Sequence, residues 1–371
     1  MTPVDEVVRA RIARRGPIPF EDVVAAALYD PEGGFYSTGG RAGARGDFLT
    51  SPEVGPLFGE VVARALDAWW REMGAPEVFV VVEAGAGPGM LARTVLAAAP
   101  ACGPALRYVL VEASSAQRTA HAECLRLEDP VAAFASVAEP DEGPRGAGIS
   151  PPPGPIVVSL ADLPRVPGPC VVLANELLDN LPFGLAERTS SGWSEVFVGL
   201  EAGALVEVLV PLEDRGADLP DADSGARVPL QRMAAGWVHE AVDLAGNGGR
   251  VVAIDYASTT VELAARPWTE WVRTYRAHKR GGVPLDRLGT QDITCEVAVD
   301  QLPVPTSDVS QATWLRTHGI DELVDGGRRV WEQRAAVGDL AAVRARSRIA
   351  EADALLDPTG LGAFRVLEWI R

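Results

Sequence analysis

The sequence is poor in lysine, cysteine and histidine, and each shortage excludes a class of site. It has one lysine, Lys279, four cysteines and four histidines in 371 residues. The cysteines, Cys102, Cys124, Cys170 and Cys295, are scattered and lack the close pairs of zinc sites and disulfide scaffolds. The histidines show no metal-ligand spacing. We therefore predict no metal, and we expect the cysteines to be buried small side chains in a reducing compartment.

Basic residues are too few for a protein that wraps nucleic acid or lies on an anionic membrane. The chain carries 34 Lys and Arg against 51 Asp and Glu, a formal net charge of −17 at pH 7. Both partners require a positive surface. The acidic excess favours a cationic partner, although a surface that only keeps the protein soluble explains it as well.

Long apolar runs are also missing from the sequence. None approaches the length of a membrane span, and residues 1–15 form a charged amphipathic pattern instead of a signal peptide. We therefore expect a soluble, cytoplasmic protein. With 47% hydrophobic residues, the chain can build a large core, as one domain with additions or as two domains.

What the sequence does contain is a buried strand that leads into a glycine turn. Residues 78–82 are β-branched or aromatic, and Gly85, Gly87 and Gly89 follow at alternate positions before a helical pattern. Glu83 lies at the end of this strand, and Glu112 ends the next apolar run, 27 positions after Gly85. An acid there can accept both hydroxyls of a ribose, so the pattern predicts an adenosine cofactor.

Strands and helices alternate from residue 78 onward, which predicts a Rossmann-like α/β fold with a parallel sheet between helices. Further buried strands are expected at 156–160, 170–174 and 249–256. Antiparallel hairpins are expected at 183–211, helices at 310–317 and 327–354, and an edge strand at 364–369.

The predicted domains are an N-terminal helical cap with an active-site loop, residues 1–75, and the Rossmann-like domain, residues 76–371. Inserted regions at 183–211 and 258–300 are expected to form an antiparallel β lid. The glycine-rich loop at 37–47 is expected to be functional. The stretch at 140–155, rich in proline and glycine, is expected to be a mobile surface insertion.

Two cofactor classes fit the glycine turn. A pyrophosphate needs a free helix N-terminus and often a longer glycine spacing. S-adenosylmethionine carries a cationic sulfur and an amine, which favour a nearby carboxylate such as Glu83. The short spacing and Glu83 therefore favour methyl transfer, with a flavin or nicotinamide enzyme as the alternative.

Beyond these features, the sequence resembles the MidA-like family of S-adenosylmethionine-dependent methyltransferases over nearly its whole length. The mitochondrial member of that family is the arginine methyltransferase needed for assembly of respiratory complex I. The matching stretches are residues 46–53, 57–60, 174–182, 255–256, 289–294, 311, 314–315 and 319–320. The resemblance implies a class I methyltransferase fold with S-adenosylmethionine as the cofactor.

The resemblance also implies where the substrate binds. Glu176 and Asp179, after the fourth predicted strand of the parallel sheet, are the candidate clamp for a guanidinium group, which carboxylates bind bidentately. Asn175 would orient these acids or contact the substrate. The alternative is that Glu176 and Asp179 only stabilise the start of a helix.

The predicted cofactor site surrounds the glycine turn. Its residues are Glu83, Gly85, Gly87, Gly89, Glu112, Thr50 and Glu53. Glu53 could instead join the substrate clamp or only cap a helix. The pocket is expected between Gly85, Glu112, Asn175 and Glu53.

Two positions depart from the family pattern. Pro88 stands where the family usually has arginine, and Ala257 stands where glycine commonly follows the Asp-Tyr pair. Pro88 removes a backbone donor and stiffens the turn. Cofactor affinity is therefore expected to differ from that of relatives.

The predicted function is methylation of an arginine side chain in a protein, with a respiratory complex I-type subunit as a candidate substrate. Two alternatives stay open. One is a small-molecule methyltransferase on the same scaffold, and the other is a non-catalytic assembly factor that keeps the fold.

Overall fold

A computed structural model describes residues 1–38, 50–134, 152–212, 219–276 and 279–371. The chain forms two compact units. Unit 1 comprises Met1–Phe48, Glu176–Glu240 and Asp255–Pro305, and unit 2 comprises Leu49–Asn175, Ala241–Ile254 and Thr306–Arg371. The domain boundary expected between residues 75 and 76 stays a prediction.

Three features predicted from the sequence lie largely outside the described residues. They are the loop at 37–47, the first part of the matching stretch at 46–53, and the insertion at 140–155.

Helices occur throughout the described ranges. They are α1 (Pro3–Arg15), α2 (Phe20–Tyr29), α3 (Ser51–Val54), α4 (Pro56–Glu72), α5 (Met90–Ala97), α6 (Ser115–Cys124), α7 (Pro130–Phe134), α8 (Arg232–Ala245), α9 (Thr260–Ala264), α10 (Trp268–Trp271), α11 (Gln311–Thr317), α12 (Ile320–Arg334) and α13 (Leu340–Leu355). Short 3₁₀ helices cover Gly103–Ala105, Leu178–Asn180, Val299–Gln301 and Leu361–Ala363. In this described part of the chain, no helix has the length and apolar composition needed to cross a membrane.

The strands of the described ranges form four sheets. They are β1 (Ile18–Pro19), β2 (Phe79–Ala84), β3 (Leu106–Val111), β4 (Ile156–Leu160), β5 (Val171–Asn175), β6 (Gly184–Thr189), β7 (Gly192–Glu201), β8 (Ala204–Pro211), β9 (Arg227–Leu230), β10 (Arg250–Asp255), β11 (Ala257–Ser258), β12 (Val272–Arg276), β13 (Lys279–Arg280), β14 (Asp292–Cys295), β15 (Val297–Ala298), β16 (Ser307–Ser310) and β17 (Arg365–Ile370).

Unit 2 is built on a seven-stranded sheet in the order β16-β17-β10-β5-β2-β3-β4. From β10 to β4 the neighbouring strands run parallel, whereas β16 and β17 are antiparallel. Every residue of β2 and β3 is buried, as expected for central parallel strands covered on both faces. The mixed sheet and its helices confirm the predicted α/β class.

The strand predicted at 364–369 is present as β17, but its predicted edge position is wrong, because β17 lies between β16 and β10. Its alternating pattern does not mark a solvent-facing side. The polar residue Glu368 is buried, and its carboxylate accepts hydrogen bonds from Arg250 Nη1 at 2.7 Å and Trp314 Nε1 at 2.8 Å. A polar residue in the alternating pattern is therefore buried here, because its carboxylate has hydrogen-bond partners inside the protein.

The helix predicted at 327–354 is correct in type but wrong as one unbroken helix, since two helices, α12 and α13, cover this region. Gly338 has a φ of +64° between them, and Asp339 begins the second helix by accepting the N–H of Ala342 at 3.0 Å. A glycine in the left-handed region favours the end of one helix, and an aspartate at the N-cap favours the start of the next. The pair Gly338-Asp339 is therefore the sequence signal for the break.

Unit 1 contains the antiparallel pairing predicted for 183–211. β7 pairs with β8 along its length and with β6 and the short β1, and β6 pairs with β9. The apolar core of this unit includes Val4, Phe20, Phe183 and Trp271, each at most 1% exposed. α1, α2 and the antiparallel strands therefore share one core.

Gly289 generates the first prediction, because the backbone comes close to another chain segment there. Its φ is +82°, and a Cβ on it would lie 2.2 Å from the carbonyl oxygen of Gly33. Gly289→Ala must therefore move backbone atoms, and we predict a loss of about 3 kcal/mol or more in the free energy of unfolding, measured with urea. Gly203 has a φ of +81°, and no atom of the described residues lies within 4 Å of such a Cβ, so Gly203→Ala should cost only about 1–2 kcal/mol. Equal losses would contradict the prediction.

Candidate active site

The glycine turn links β2 to α5 in unit 2. Gly85, Gly87 and Gly89 have φ values of +66°, +54° and +82°, a region that other residues enter with strain. The turn is closed by a hydrogen bond from the Gly89 N–H to the Ala86 carbonyl at 2.9 Å. These conformations explain why glycine is needed at alternate positions.

Pro88 occupies the third position of this four-residue turn. In such a turn only the fourth residue donates to the first carbonyl, so the missing N–H of proline costs no hydrogen bond within the turn. The predicted effect of Pro88 on cofactor affinity therefore cannot come from a broken turn, and it stays a prediction.

Glu112 follows β3 and joins the glycine turn. Its Oε2 accepts the Gly87 N–H at 2.9 Å, and its Oε1 accepts the Ser114 N–H at 2.8 Å. Burial raises the pKa of this carboxyl, and the two N–H donors oppose that rise. Each oxygen keeps a further lone pair. Glu112 can therefore still accept the hydroxyls of a ribose, as the sequence predicts.

The turn also leaves space for a ligand. A Cβ on Gly87 would have only Gln117 Oε1, at 3.6 Å, within 4 Å among the described residues. On Gly89 it would meet His121, Leu110 and Leu125 at 3.3 Å. Gly89 thus packs against protein, while the Cβ side of Gly87 is left almost clear.

Glu83 lies at the end of β2 with a protein partner. The Tyr108 hydroxyl donates to its Oε2 at 2.7 Å. Burial raises the pKa of Glu83 to about 7, although the bonds from Tyr108 and from the Ala92 N–H lower it. Contact between Glu83 and the cofactor stays a prediction. The role of Tyr108 was not predicted, and its sequence signal is one hydroxyl at the start of the apolar run 108–111.

Thr50 and Glu53 form a capping box at the start of α3. Glu53 Oε2 accepts the Thr50 N–H at 3.3 Å, and burial raises the pKa of Glu53. The helix-cap alternative therefore describes the observed contact. α3 also packs against α5, the helix that follows the glycine turn. Thr50 and Glu53 therefore lie at the start of a helix next to the predicted cofactor site, and their contact with the cofactor stays a prediction.

Asn175 is the last residue of β5 and lies beside the glycine turn. Ala174 pairs with Ala84 of β2, and Asn175 and Gly85 are the next residues of the two parallel strands. The structure thus brings Asn175, Gly85 and Glu112 to one edge of the sheet in unit 2. The carboxyl edge of such a sheet is where ligands bind.

Unit 1 holds a separate cluster of buried acids that includes Asp179. Asp255 Oδ2 accepts the N–H groups of Leu178 and Asp179 at 3.0 and 3.2 Å, so it caps the short 3₁₀ helix. Glu176 precedes this helix with a φ of +53°, a strained conformation that is common at functional sites. Asp179 is 5% exposed, and its Oδ1 has no hydrogen-bond partner among the described residues.

Asp292 holds the other side of the same 3₁₀ helix. Its Oδ1 accepts from the Tyr36 hydroxyl at 3.0 Å and from Asn180 Nδ2 at 3.4 Å. The Tyr29 hydroxyl donates to the Asn180 carbonyl at 2.9 Å. Asp255 and Asp292 received no role from the sequence, although both lie in the stretches that match the family.

Burial dominates the electrostatics of this cluster. It raises the pKa of Asp179 to about 7 and of Asp292 to about 6, and it raises the pKa of Asp255 well above the usual range. Asp292 adds to the rise at Asp179, and Asp179 and Glu176 add to that at Asp255, while the Tyr256 hydroxyl favours ionised Asp179. The neighbouring charges named here are all carboxylates. Burial therefore favours the protonated forms of these acids, and a bound cation would favour their ionised forms.

A parallel sheet with a glycine turn after one strand and an acid after the next is the arrangement of class I S-adenosylmethionine-dependent methyltransferases. Residues 61–318, more than half of the chain, match the family described as "Putative S-adenosyl-L-methionine-dependent methyltransferase". The protein belongs to this family, it is a methyltransferase, and S-adenosylmethionine is its cofactor.

Individual relatives agree with this assignment. The chain is 28% identical over 338 residues to the mitochondrial protein arginine methyltransferase NDUFAF7 of Rattus norvegicus, covering 86% of this chain and 75% of that protein. It is 29% identical over 310 residues to the Drosophila melanogaster homologue, covering 78% and 67%. These matches confirm the resemblance to the MidA-like family.

A solved structure supports both the fold and the cofactor. It is a protein from Burkholderia thailandensis bound to S-adenosyl-homocysteine, 27% identical, with a TM-score of 0.76 over 99% of this chain and 92% of that one. The class I-like fold predicted from the sequence is therefore confirmed.

The raised pKa of Asp179 predicts a pH-dependent stability. A carboxyl with a folded pKa of about 7 against an ordinary 3.8 stabilises the fold at low pH, and this contribution is lost as pH rises from about 4 to about 7. In Asp179→Asn the side chain does not ionise, so its stability does not fall in this pH range. Without ligand the variant should therefore be more stable than the wild type at pH 8 by about 1 kcal/mol or more, and by less at pH 5. Urea unfolding at both pH values measures this.

The exposed Asp22 provides the matched control, because Asp22→Asn should show the same small difference at both pH values. A stability difference for Asp179→Asn that does not change between pH 5 and pH 8 would contradict the prediction.

Proposed function

We propose that this methyltransferase transfers a methyl group to a guanidinium nitrogen of an arginine side chain in a protein substrate. The observation that carries the proposal is the buried Asp179, whose Oδ1 lacks a partner among the described residues and whose strongest charged neighbour is another acid. A guanidinium is always protonated and presents paired N–H donors that suit carboxylates. The relatives named protein arginine methyltransferases support the same substrate class.

The cofactor would be held by the glycine turn and Glu112. The clear side of Gly87 allows close approach, and the spare lone pairs of Glu112 would accept the ribose hydroxyls. When bound, S-adenosylmethionine supplies an electrophilic methyl group on a sulfonium. Glu83, Thr50, Glu53 and Asn175 stay as predicted contacts around this site.

The acids of unit 1 would bind and orient the substrate. Asp179 and Glu176 would accept N–H bonds from the guanidinium and fix its plane, and such positioning of the nucleophile favours transfer. That nitrogen must lose a proton when it is methylated. Because burial raises the pKa of Asp179 to about 7, its carboxylate is a stronger base near neutral pH than an ordinary aspartate.

Asp255 would act through Asp179. Its carboxylate accepts the backbone N–H groups of Leu178 and Asp179, so it fixes the position from which the Asp179 side chain extends. Asp255 is therefore a positioning residue in this proposal, and Asp179 is the residue that touches the substrate.

The proposal includes several further expectations from the sequence. Residues 1–75 would serve as a cap, and the insertions at 183–211 and 258–300 as a lid that excludes water. A respiratory complex I-type subunit is a candidate substrate. A cytoplasmic location, and the lack of nucleic-acid and membrane partners, also stay predictions.

Labelled methyl transfer tests the proposed function. The purified protein and methyl-labelled S-adenosylmethionine are added to a lysate of the same cell lacking this gene, and the labelled species is identified. We expect label on arginine of a protein. Label on a small metabolite with none on protein would contradict the proposal.

Variants then test the role of the acids. Glu176→Gln should lower the labelling rate about 100-fold or more, while S-adenosyl-homocysteine still binds as in the wild type. The matched control is Glu240→Gln, on the exposed side of α8, which should label at the wild-type rate. Full labelling by Glu176→Gln would remove Glu176 from the clamp.

A further inference from the structure

His121 has no role in the chemistry described above, although it contacts the glycine turn. It belongs to α6 and is fully buried. Its Nε2 lies 2.7 Å from the Gly87 carbonyl oxygen, and its Nδ1 lies 2.8 Å from Ser159 Oγ in β4. One imidazole thus links the turn after β2 to the edge strand of the parallel sheet.

Chemistry fixes the tautomer of this ring. A carbonyl oxygen can only accept, so Nε2 carries the proton and donates to Gly87. In the neutral ring Nδ1 then accepts from the Ser159 hydroxyl. Burial lowers the pKa of His121, which favours this neutral form, although the bond to Gly87 opposes the shift.

Gly87 is therefore held through both of its backbone polar groups. Its N–H donates to Glu112, the predicted ribose acid, and its C=O accepts from His121. Ser114 lies between these two partners in the sequence and contacts the element of each. Its N–H donates to Glu112, and its side chain caps α6, the helix that carries His121. The glycine itself has little conformational preference. The backbone conformation of Gly87 is therefore fixed by its hydrogen bonds to Glu112 and His121.

We infer that His121 is a positioning residue for S-adenosylmethionine, which presets the Gly87 backbone so that the turn and Glu112 accept the cofactor without rearrangement. Preorganisation of this kind raises affinity because the ordering cost is not incurred on binding. The inference needs only the cofactor assignment, so it stands or falls separately from the proposed arginine substrate.

Two amide variants separate the two contacts of the ring. In His121→Gln the side-chain amide can reach the position of Nε2 and donate to the Gly87 carbonyl. In His121→Asn the shorter side chain can reach only the position of Nδ1, near Ser159. Both variants put the same polar group into the same buried place, so they differ mainly in the contact to Gly87.

The measurement is the Kd for S-adenosyl-homocysteine by calorimetry on the full-length protein, with thermal unfolding of the free protein recorded beside it. We expect His121→Asn to weaken binding about tenfold, and His121→Gln to stay within about threefold of the wild type. Ser159→Ala, which keeps the bond to Gly87, should resemble His121→Gln.

A purely structural role would lower the unfolding temperature of the variants without changing the Kd of the folded protein. Equal Kd values for His121→Asn and His121→Gln would therefore overturn the inference, whatever their stability. So would a tighter Kd for His121→Asn than for His121→Gln.

Discussion

The hydrogen bonds of the Gly87 backbone are the constraint on which unit 2 depends. The N–H donates to Glu112 after β3, and the C=O accepts from His121 on α6. Two neighbouring β–α connections are thereby tied together at the edge where ligands bind. A flexible glycine turn becomes a defined surface, and Pro88 fits into it without losing a turn hydrogen bond. The cofactor site is thus built from contacts around the glycines as much as from the glycines themselves.

Unit 1 depends on a different constraint, the cost of burying several acids together. Asp255 and Asp292 hold the two sides of the short 3₁₀ helix that carries Asp179. Their carboxylates accept hydrogen bonds from N–H groups of this helix, and these neutral donors supply no counter-charge. Burial therefore raises the pKa of these acids. A bound cation would favour the ionised forms of these acids and offset part of the cost of burying them.

The sequence predicted the parts that follow from local pattern. Buried strands, the glycine turn and the acid after β3 have signatures within a few residues, and all appear in the structure. The site residues Asp255 and Asp292 could not be assigned, because their roles come from contacts to the 178–180 helix, far away in sequence. His121 was missed for the same reason. The edge position predicted for β17 was wrong because its alternation of apolar and polar residues did not mean exposure. Glu368 is buried and bonded to Arg250 and Trp314.

The central claim is that Glu112 and the Gly87 backbone, joined by a hydrogen bond, form the cofactor site. Calorimetry of Glu112→Ala with S-adenosyl-homocysteine tests this claim most directly. Removing the carboxylate takes away the ribose acceptor and leaves the Gly87 N–H without its partner. We predict one binding site in the wild type and a loss of affinity of about 100-fold or more in Glu112→Ala, with Glu123→Ala, an exposed change on α6, binding normally. Wild-type affinity in a folded Glu112→Ala protein would contradict this claim.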